Sequence, residues 1–397
     1  MWYNAPMRLT DDECALRDGA RGPAAAKALQ ILVTLGDIFG AERLVPVTSA
    51  QISGVSYKTI GDAGLEFLEG FAAEGARTVV PAFLNPCGMD LRRWREMGVP
   101  EAFAERQLRI IAAYERMGVT LTATCTPYLA GIVPALGEHV AWAESSAVSY
   151  ANSVLGARTN RESGISALAA AICGRTPAWG LHLEENRVAS LVVEVRAPLR
   201  DAADFGALGV HVGRLAGGRV PAFTGISTAT TDQLKALGAA MAASGSVALF
   251  FVESVTPEWR LVPEPDRQTV TGADLDAVRH ALNTTADPEL IAVGCPHCSL
   301  DELRAVAERV RAGGLRGRRL WVCASRAVAQ DPAAAEAVAA IEGAGGQVLC
   351  DTCMVVAPIA EMGFTRTATN SGKAATYLPT LGRQGVMFGS LDEILRS

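Results

Sequence analysis

The chain has 397 residues, 49% of them hydrophobic and 20% charged, with a formal net charge of −6. It is longer than one ordinary domain, so two or three lobes are expected. The acidic balance, with no basic block anywhere, argues against nucleic-acid or membrane-surface binding through bulk charge, and no apolar run approaches the roughly 18 residues of a spanning helix.

The opening stretch Met1-Trp2-Tyr3-Asn4-Ala5-Pro6 lacks the charged and apolar regions of a signal peptide, so a cytoplasmic location is expected. Residues 11–40 read as two helices, the second carrying Ala24, Leu29, Leu32 and Leu35. Arg43 to Val47 reads as a strand leading into a loop of hydroxyls and small residues, Thr48 to Lys58. Gly61 to Gly64 precedes another helix, Thr78 to Phe83 is a strand stopping at Asn85-Pro86-Cys87-Gly88, Glu101 to Met117 a helix, and Thr120 to Thr124 a strand ending at Cys125. Residues 139–164 are a polar stretch in an apolar chain, which either packs closely against backbone or ligand or is an exposed helix and loop. In residues 188–285, Val188 to Val195 and Val247 to Val252 read as strands, Leu234 to Ala243 as a helix, and Pro257 to Asp274 as a surface connection rich in Pro and charge.

The last third alternates most clearly. Leu290 to Val293, Leu320 to Val322 and Gln347 to Leu349 are short apolar runs separated by helical patterns, which implies a parallel sheet with crossover helices. Ligands bind at the carboxyl edge of such a sheet, so Cys295, Ser325, Cys353 and Asn370-Ser371 are expected to converge. Arg366 to Thr369 reads as the last strand, followed by a short C-terminal helix. The approximate lobes are 1–187, 188–285 and 286–397.

Nine cysteines without secretory context point to free thiols or metal ligands. Cys125, Cys295 and Cys353 stand at expected strand ends, where backbone N–H groups stabilise thiolates that ligate iron; three ligands leave a position open for substrate. Cys295-Pro296-His297-Cys298 and Cys350-Asp351-Thr352-Cys353 could instead hold zinc, although Ser299 with Glu302 reads as a helix capping box. Cys14, Cys173 and Cys323 read as small buried hydrophobes. Asn370-Ser371-Gly372-Lys373, at a strand-to-helix turn, suits an anion but lacks the spacing of a nucleotide-binding P-loop. His139, His182 and His280 read as structural, and His297 as supporting a ligand or entering a helix.

Several of these motifs together carry a family resemblance: Thr48 to Lys58, Asn85 to Asp90, Cys125-Thr126-Pro127-Tyr128, Glu144-Ser145-Ser146-Ala147, Gly156 to Glu162, Gly294 to His297, Asp351 to Met354 and Asn370 to Lys373. In order and along essentially the whole chain, they resemble the aconitase X family, and its large catalytic part in particular. The resemblance implies an α/β aconitase-like fold, several βαβ lobes with parallel sheets around a central cleft. It implies a hydro-lyase carrying an iron–sulfur cluster (2Fe-2S, 3Fe-4S or 4Fe-4S) on Cys125, Cys295 and Cys353. Gly54, Val55, Ser56, Asn85, Pro86, Glu144, Ser145 and Lys373 look like substrate contacts, with Glu144, Ser145 and Lys373 as the catalytic set.

No segment resembles the family's small swivelling domain, so a separate small subunit is expected to form a heterodimer and supply the base. Glu144 then positions substrate, and is the base only if this chain acts alone. Two substrates are known in the family. The Ala- and Arg-rich, bacterial-looking composition favours cis-3-hydroxy-L-proline, dehydrated to Δ1-pyrroline-2-carboxylate, over mevalonate 5-phosphate. Cys87, where Ala is common, lies beside the substrate loop. A non-enzymatic iron–sulfur sensor or RNA-binding module is the rival class, disfavoured by the net charge of −6.

Overall fold

The C-terminal sheet is five-stranded and wholly parallel, in the spatial order Gln347–Leu349, Arg319–Ala324, Leu290–Cys298, Arg366–Thr369, Gly385–Phe388. The computed structural model describes residues 7–396 except Gly314 and Arg316; the stretch Met1 to Pro6 weighed as a leader, and Ser397, lie outside the described residues. Every residue of Leu290–Cys298 is buried, as befits a strand covered on both faces, which is why it reads as a continuous apolar run. Gly385–Phe388 is a strand beyond the one expected to be last. Helix Leu300–Gly313 buries Leu303, Val306 and Val310 as its periodicity predicts, and the Ser299–Glu302 capping box forms at 2.9 and 3.2 Å.

A second parallel sheet lies in the N-terminal part, ordered Ala82–Leu84, Ala50–Ile52, Ala141–Trp142. Its central strand sits inside the expected loop Thr48 to Lys58, a difference with a simple cause. Three residues are too few to show a period, and the middle one is Gln51, whose buried Nε2 donates to the Thr124 carbonyl at 3.1 Å. Leu44–Pro46 pairs antiparallel with Arg175–Pro177, outside that sheet. Thr120 to Thr124 makes only an isolated bridge, Phe83 to Thr120, and Ala123 takes φ 43°, so the expected strand is an irregular loop.

The middle sheet is again parallel, ordered Phe251–Val252, Pro221–Thr224, Ala189–Val195, Leu261–Val270. The last of these strands corrects the surface connection expected over Pro257 to Asp274. It is an edge strand, largely solvent-facing, and its Pro263, Glu264, Pro265, Asp266 and Arg267 are what an edge uses to refuse a further partner. Helix Ala202–Ala216 then packs on the helix Gly372–Leu381: a Cβ on Gly206 would lie 3.2 Å from the Gly372 nitrogen, so the two backbones meet directly.

The polar stretch 139–164 is mostly interior. It holds strand Ala141–Trp142, helix Ser145–Tyr150 and one π turn, Ala151–Leu155. Most of its buried polar groups are satisfied by protein, although Ser149 Oγ finds no partner. Asn152 Nδ2 donates to the Thr159 carbonyl at 2.8 Å, and Arg158 and the fully buried Arg187 share the Glu258 carboxylate. Of the two readings, packing against backbone is the one observed. His139 and His182, read as structural, face each other through their Nδ1 atoms at 2.9 Å.

Candidate functional site

The two outer parallel sheets aim their carboxyl edges at one cavity of about 230 Å³. Its lining residues sit one to four positions beyond strand ends: Ser53 after Ile52, Asn85-Pro86 after Leu84, Ala143-Glu144-Ser145 after Trp142, Cys353 after Leu349 and Lys373 after Thr369. Both sheets therefore present their switch-point edge to the same place. Cys125, Arg161, Cys295, Val355, Val356, Tyr377 and Leu381 complete the wall.

Cys295 reaches the cavity because its strand breaks register between Val293 and Cys298, bulging the intervening residues out of the ladder. The bulge needs glycine: Gly294 has φ 94°, and a Cβ there would stand 2.1 Å from the Cys323 carbonyl oxygen. His297, fully buried, ties the three cysteine segments together. Its backbone N–H donates to the Cys125 sulfur at 3.2 Å, and its Nε2 lies 2.9 Å from the Thr352 carbonyl. A carbonyl only accepts, so Nε2 carries the proton and Nδ1 accepts from the Thr124 hydroxyl at 3.0 Å. Burial holds the imidazole neutral, with its pKa driven down to about 4. The contacts His297 makes tie the cysteine segments to one another.

The thiols fit a polynuclear cluster. All three are buried at 5% exposure, yet line the cavity. Cys295 and Cys353 share a hydrogen bond that pushes Cys295 up and draws Cys353 down; the backbone N–H groups of Val355 and Val356 also favour thiolate at Cys353. Among the described residues no three His, Cys, Asp or Glu side chains close on a single metal ion. That disfavours the zinc alternative, since Cys298 faces a different cavity with Asp201 and Glu302, and Cys350 lies beside Arg326, Asp351 and Asp90. Thiolates of an iron–sulfur cluster bind different irons and need not share one point.

Glu144 and Lys373 form a buried ion pair from opposite sheets, at 6% and 8% side-chain exposure. Glu144 caps helix Ser145–Tyr150, accepting from Ala147 N–H at 2.7 Å and from Ser146 Oγ at 2.5 Å, while Ser145 Oγ lies 3.3 Å away. Burial raises the carboxyl's pKa, but Lys373 and these donors outweigh it and hold it below its ordinary value. Burial likewise lowers the ammonium, and Glu144 with the nearby thiols reverses the effect, so Lys373 stays charged. Ser371, the cap of the lysine's helix, donates to the Cys295 carbonyl and accepts from Ala374 N–H at 3.0 Å.

Not every expected contact reaches the cavity. Ser56 turns away, donating to the Val356 carbonyl at 2.9 Å and capping helix Tyr57–Ala73. Val55 is buried, and Gly54 lines a neighbouring apolar cavity with Ile60 and Phe67. Ser56 thus braces the loop that follows Cys353, as does Lys58, which donates to the Val355 and Ala357 carbonyls at 3.3 and 3.0 Å. Ser325 caps helix Arg326–Ala329 outside the cavity. Cys87 lies behind it, its thiol 3.1 Å from the Asp351 carbonyl, so it contributes no substrate-facing atom. Sequence reasoning missed two residues. Gln107, fully buried, ties the loops at Val55, Tyr57 and Gly88 through three hydrogen bonds of 2.9–3.0 Å. Arg161 is a cation on the cavity wall.

Family models of the aconitase X first, second and third domains match residues 6–185, 189–280 and 288–397. The chain belongs to the aconitase X family. A solved structure of Thermococcus kodakaraensis aconitase X in its holo-form is similar at TM-score 0.92 and 44% identity, covering 98% of this chain and 100% of that one. The fold is thus the mixed α/β aconitase X fold, with several parallel sheets. The phosphomevalonate dehydratase large subunit of Methanothermobacter thermautotrophicus is 55% identical over 91% of either chain, and that of Methanocaldococcus jannaschii 48% over 98% of this chain and 100% of its own. The cis-3-hydroxy-L-proline dehydratase of Hypocrea jecorina is 37% identical, and the match spans 67% of its length.

Aconitase X relatives of both kinds are dehydratases, and the chain is a hydro-lyase of this superfamily. The preference for cis-3-hydroxy-L-proline is overturned: the relatives at 46–55% identity are all phosphomevalonate dehydratase large subunits. Alanine and arginine richness carries no information about the cavity's chemistry, which is why it misled. Among the described residues no helix is long and apolar enough to cross a membrane.

Proposed function

We propose that the chain is the large subunit of a phosphomevalonate dehydratase, which removes water from mevalonate 5-phosphate. The observation that carries this reading is near full-length similarity to subunits of that name at up to 55% identity. In the reaction the C2–H bond next to the carboxylate and the C3–O bond break, a C2=C3 double bond forms, and the proton and hydroxide leave as water. Cys125, Cys295 and Cys353 would hold an iron–sulfur cluster, which when bound supplies a Lewis acid for the departing hydroxyl.

The chain's own groups do the rest. Lys373 has three N–H donors, of which Glu144 and Ser146 take two, leaving one for the substrate carboxylate. Glu144 keeps Lys373 charged and fixed, a positioning role. Ser145 stands at the same rim. Asn85 offers a buried amide oxygen with no protein partner, suited to a substrate hydroxyl donor. Pro86 lines the cavity beside Asn85. A small subunit, implied by the relatives' names, would cover the cavity and supply the base that takes the C2 proton.

Both subunits, purified without oxygen and mixed, should convert mevalonate 5-phosphate to the unsaturated acid, followed by NMR. The large chain alone should show little turnover. Conversion of cis-3-hydroxy-L-proline with none of mevalonate 5-phosphate would overturn the assignment.

A further inference from the structure

The charged side chains on the cavity wall are Glu144, Lys373 and Arg161. The first two neutralise each other through their ion pair. Arg161 is different. Its side chain is exposed, and among the described residues its guanidinium makes no ion pair or hydrogen bond. Its base is nevertheless fixed, because both neighbours are pinned inward. Asn160 Nδ2 donates to the Trp179 carbonyl at 2.9 Å and its Oδ1 accepts from Leu181 N–H at 2.8 Å. Glu162 accepts from Ser166 Oγ at 2.5 Å and Thr176 Oγ1 at 2.8 Å, and its N–H donates to the Trp142 carbonyl at 3.0 Å. A carboxylate next in sequence is thus turned away and leaves the arginine unneutralised.

Resting on the dehydratase reading above, we propose that Arg161 binds the substrate's phosphate at the mouth of the cavity and discriminates phosphorylated from unphosphorylated substrate. The substrate's own layout requires a second anion site. Its reacting carbons C2 and C3 and the C1 carboxylate must lie near the three thiols and Lys373. The phosphate, two carbons beyond C3, then points outward. A phosphomonoester carries close to two negative charges near neutral pH. The Lys373 ammonium, already paired, cannot compensate both it and the carboxylate. Arg161 is an exposed, unpaired guanidinium on the same wall, and its planar fork matches phosphate oxygens in pairs. Exposure leaves the side chain free to swing onto the phosphate, and a site at the mouth holds that group in ground and transition state alike.

The test uses the two-subunit holoenzyme with Arg161→Gln and Arg161→Lys, comparing mevalonate 5-phosphate with unphosphorylated mevalonate and with inorganic phosphate as inhibitor. A contact shared by ground and transition state raises KM and spares kcat. Arg161→Gln should raise KM for mevalonate 5-phosphate about ten- to hundredfold, the range for losing a charge-assisted contact. It should weaken phosphate inhibition in parallel and leave turnover of mevalonate unchanged. Arg161→Lys should fall between, keeping charge without the fork. KM and phosphate inhibition both within about twofold of wild type in Arg161→Gln would overturn the proposal. A wild-type complex that binds phosphate through Arg161 yet leaves mevalonate 5-phosphate intact would overturn the functional reading alone.

Discussion

Removing Lys373 should destabilise the chain and do so in a pH-dependent way that exposes the buried charge left behind. In Lys373→Ala the Glu144 carboxylate stays at 6% exposure with only Ser145, Ser146 and Ala147 N–H for company. Breaking a buried pair by deleting one partner costs about 3–5 kcal/mol, and those remaining donors place the expected loss near the lower end. Replacing both, as Glu144→Gln with Lys373→Met, should recover all but about 1 kcal/mol, because no orphan charge remains. The signs follow from the two shifts. The Glu144 pKa is lowered on folding, so its contribution is present above the ordinary value of 4.5 and lost as pH falls below it. The Lys373 pKa is raised, so its contribution is present below 10.5 and lost as pH rises beyond. Wild type is flat between those limits on account of this pair. In Lys373→Ala burial, the largest effect on Glu144, is opposed only by the Ser146 and Ala147 donors and raises the carboxyl, so the gap to wild type should narrow on going from pH 8 to pH 5. Denaturant midpoints of wild type, Lys373→Ala and the double variant at the two pH values measure all of this. A loss below about 1 kcal/mol, or a gap that does not change with pH, would refute a desolvated pair.

Cys125→Ser, Cys295→Ser and Cys353→Ser should each lose iron and acid-labile sulfide when purified without oxygen, while Cys173→Ser, Cys298→Ser and Cys350→Ser keep both; equal iron in all six would sink the ligand set. Gly294→Ala should fold poorly or lose iron, since φ 94° costs a side chain about 1–2 kcal/mol and its Cβ would meet the Cys323 carbonyl, 2.1 Å away; wild-type iron content and stability would contradict this. Burial drives His182 from its ordinary 6.5 down to about 3, so its neutral form stabilises the fold above pH 6.5 and that contribution fades as pH falls. The loss between pH 7 and pH 5 comes to about 2 kcal/mol, and His182→Gln should show a flatter profile than wild type in thermal melts.

The C-terminal sheet was readable because parallel strands covered on both faces have to be apolar throughout, and Leu290 to Val293 and Leu320 to Val322 are. Ala50–Ile52 was not, because a three-residue strand has no period and its middle residue is an amide satisfied only by the distant Thr124 carbonyl. Leu261–Val270 failed for the opposite reason: an exposed edge strand advertises prolines and charges, the marks of a loop. At the site, residue type and strand-end position nominated Cys125, Cys295, Cys353 and Lys373, and the family resemblance added Asn85 and Glu144; all six line one cavity. They could not say that Ser56 faces Val356, that Cys87 lies behind the wall, or that Arg161 is free while Arg158, three residues earlier, is locked on Glu258. Pairing state depends on contacts from remote segments, and sequence spacing does not hold them.

The same remote contacts explain how a cavity can be assembled from residues spread between Ser53 and Leu381 and still be rigid. Glu144 and Lys373 join the two outer sheets through their charges, Ser56 and Lys58 reach across to the loop after Cys353, and Cys87 N–H donates to the Asp351 carbonyl at 2.7 Å. Each of these links joins the N-terminal part to the C-terminal part, so the wall between them is stitched at several points. A substrate anion that displaced Glu144 from Lys373 would have to desolvate further while breaking one of these links. Binding by the lysine's remaining N–H breaks none. Arg161, the lining cation outside this stitching, can move toward a ligand without disturbing the wall, which separates a fixed inner end for the reacting carbons from an adaptable outer end for recognition.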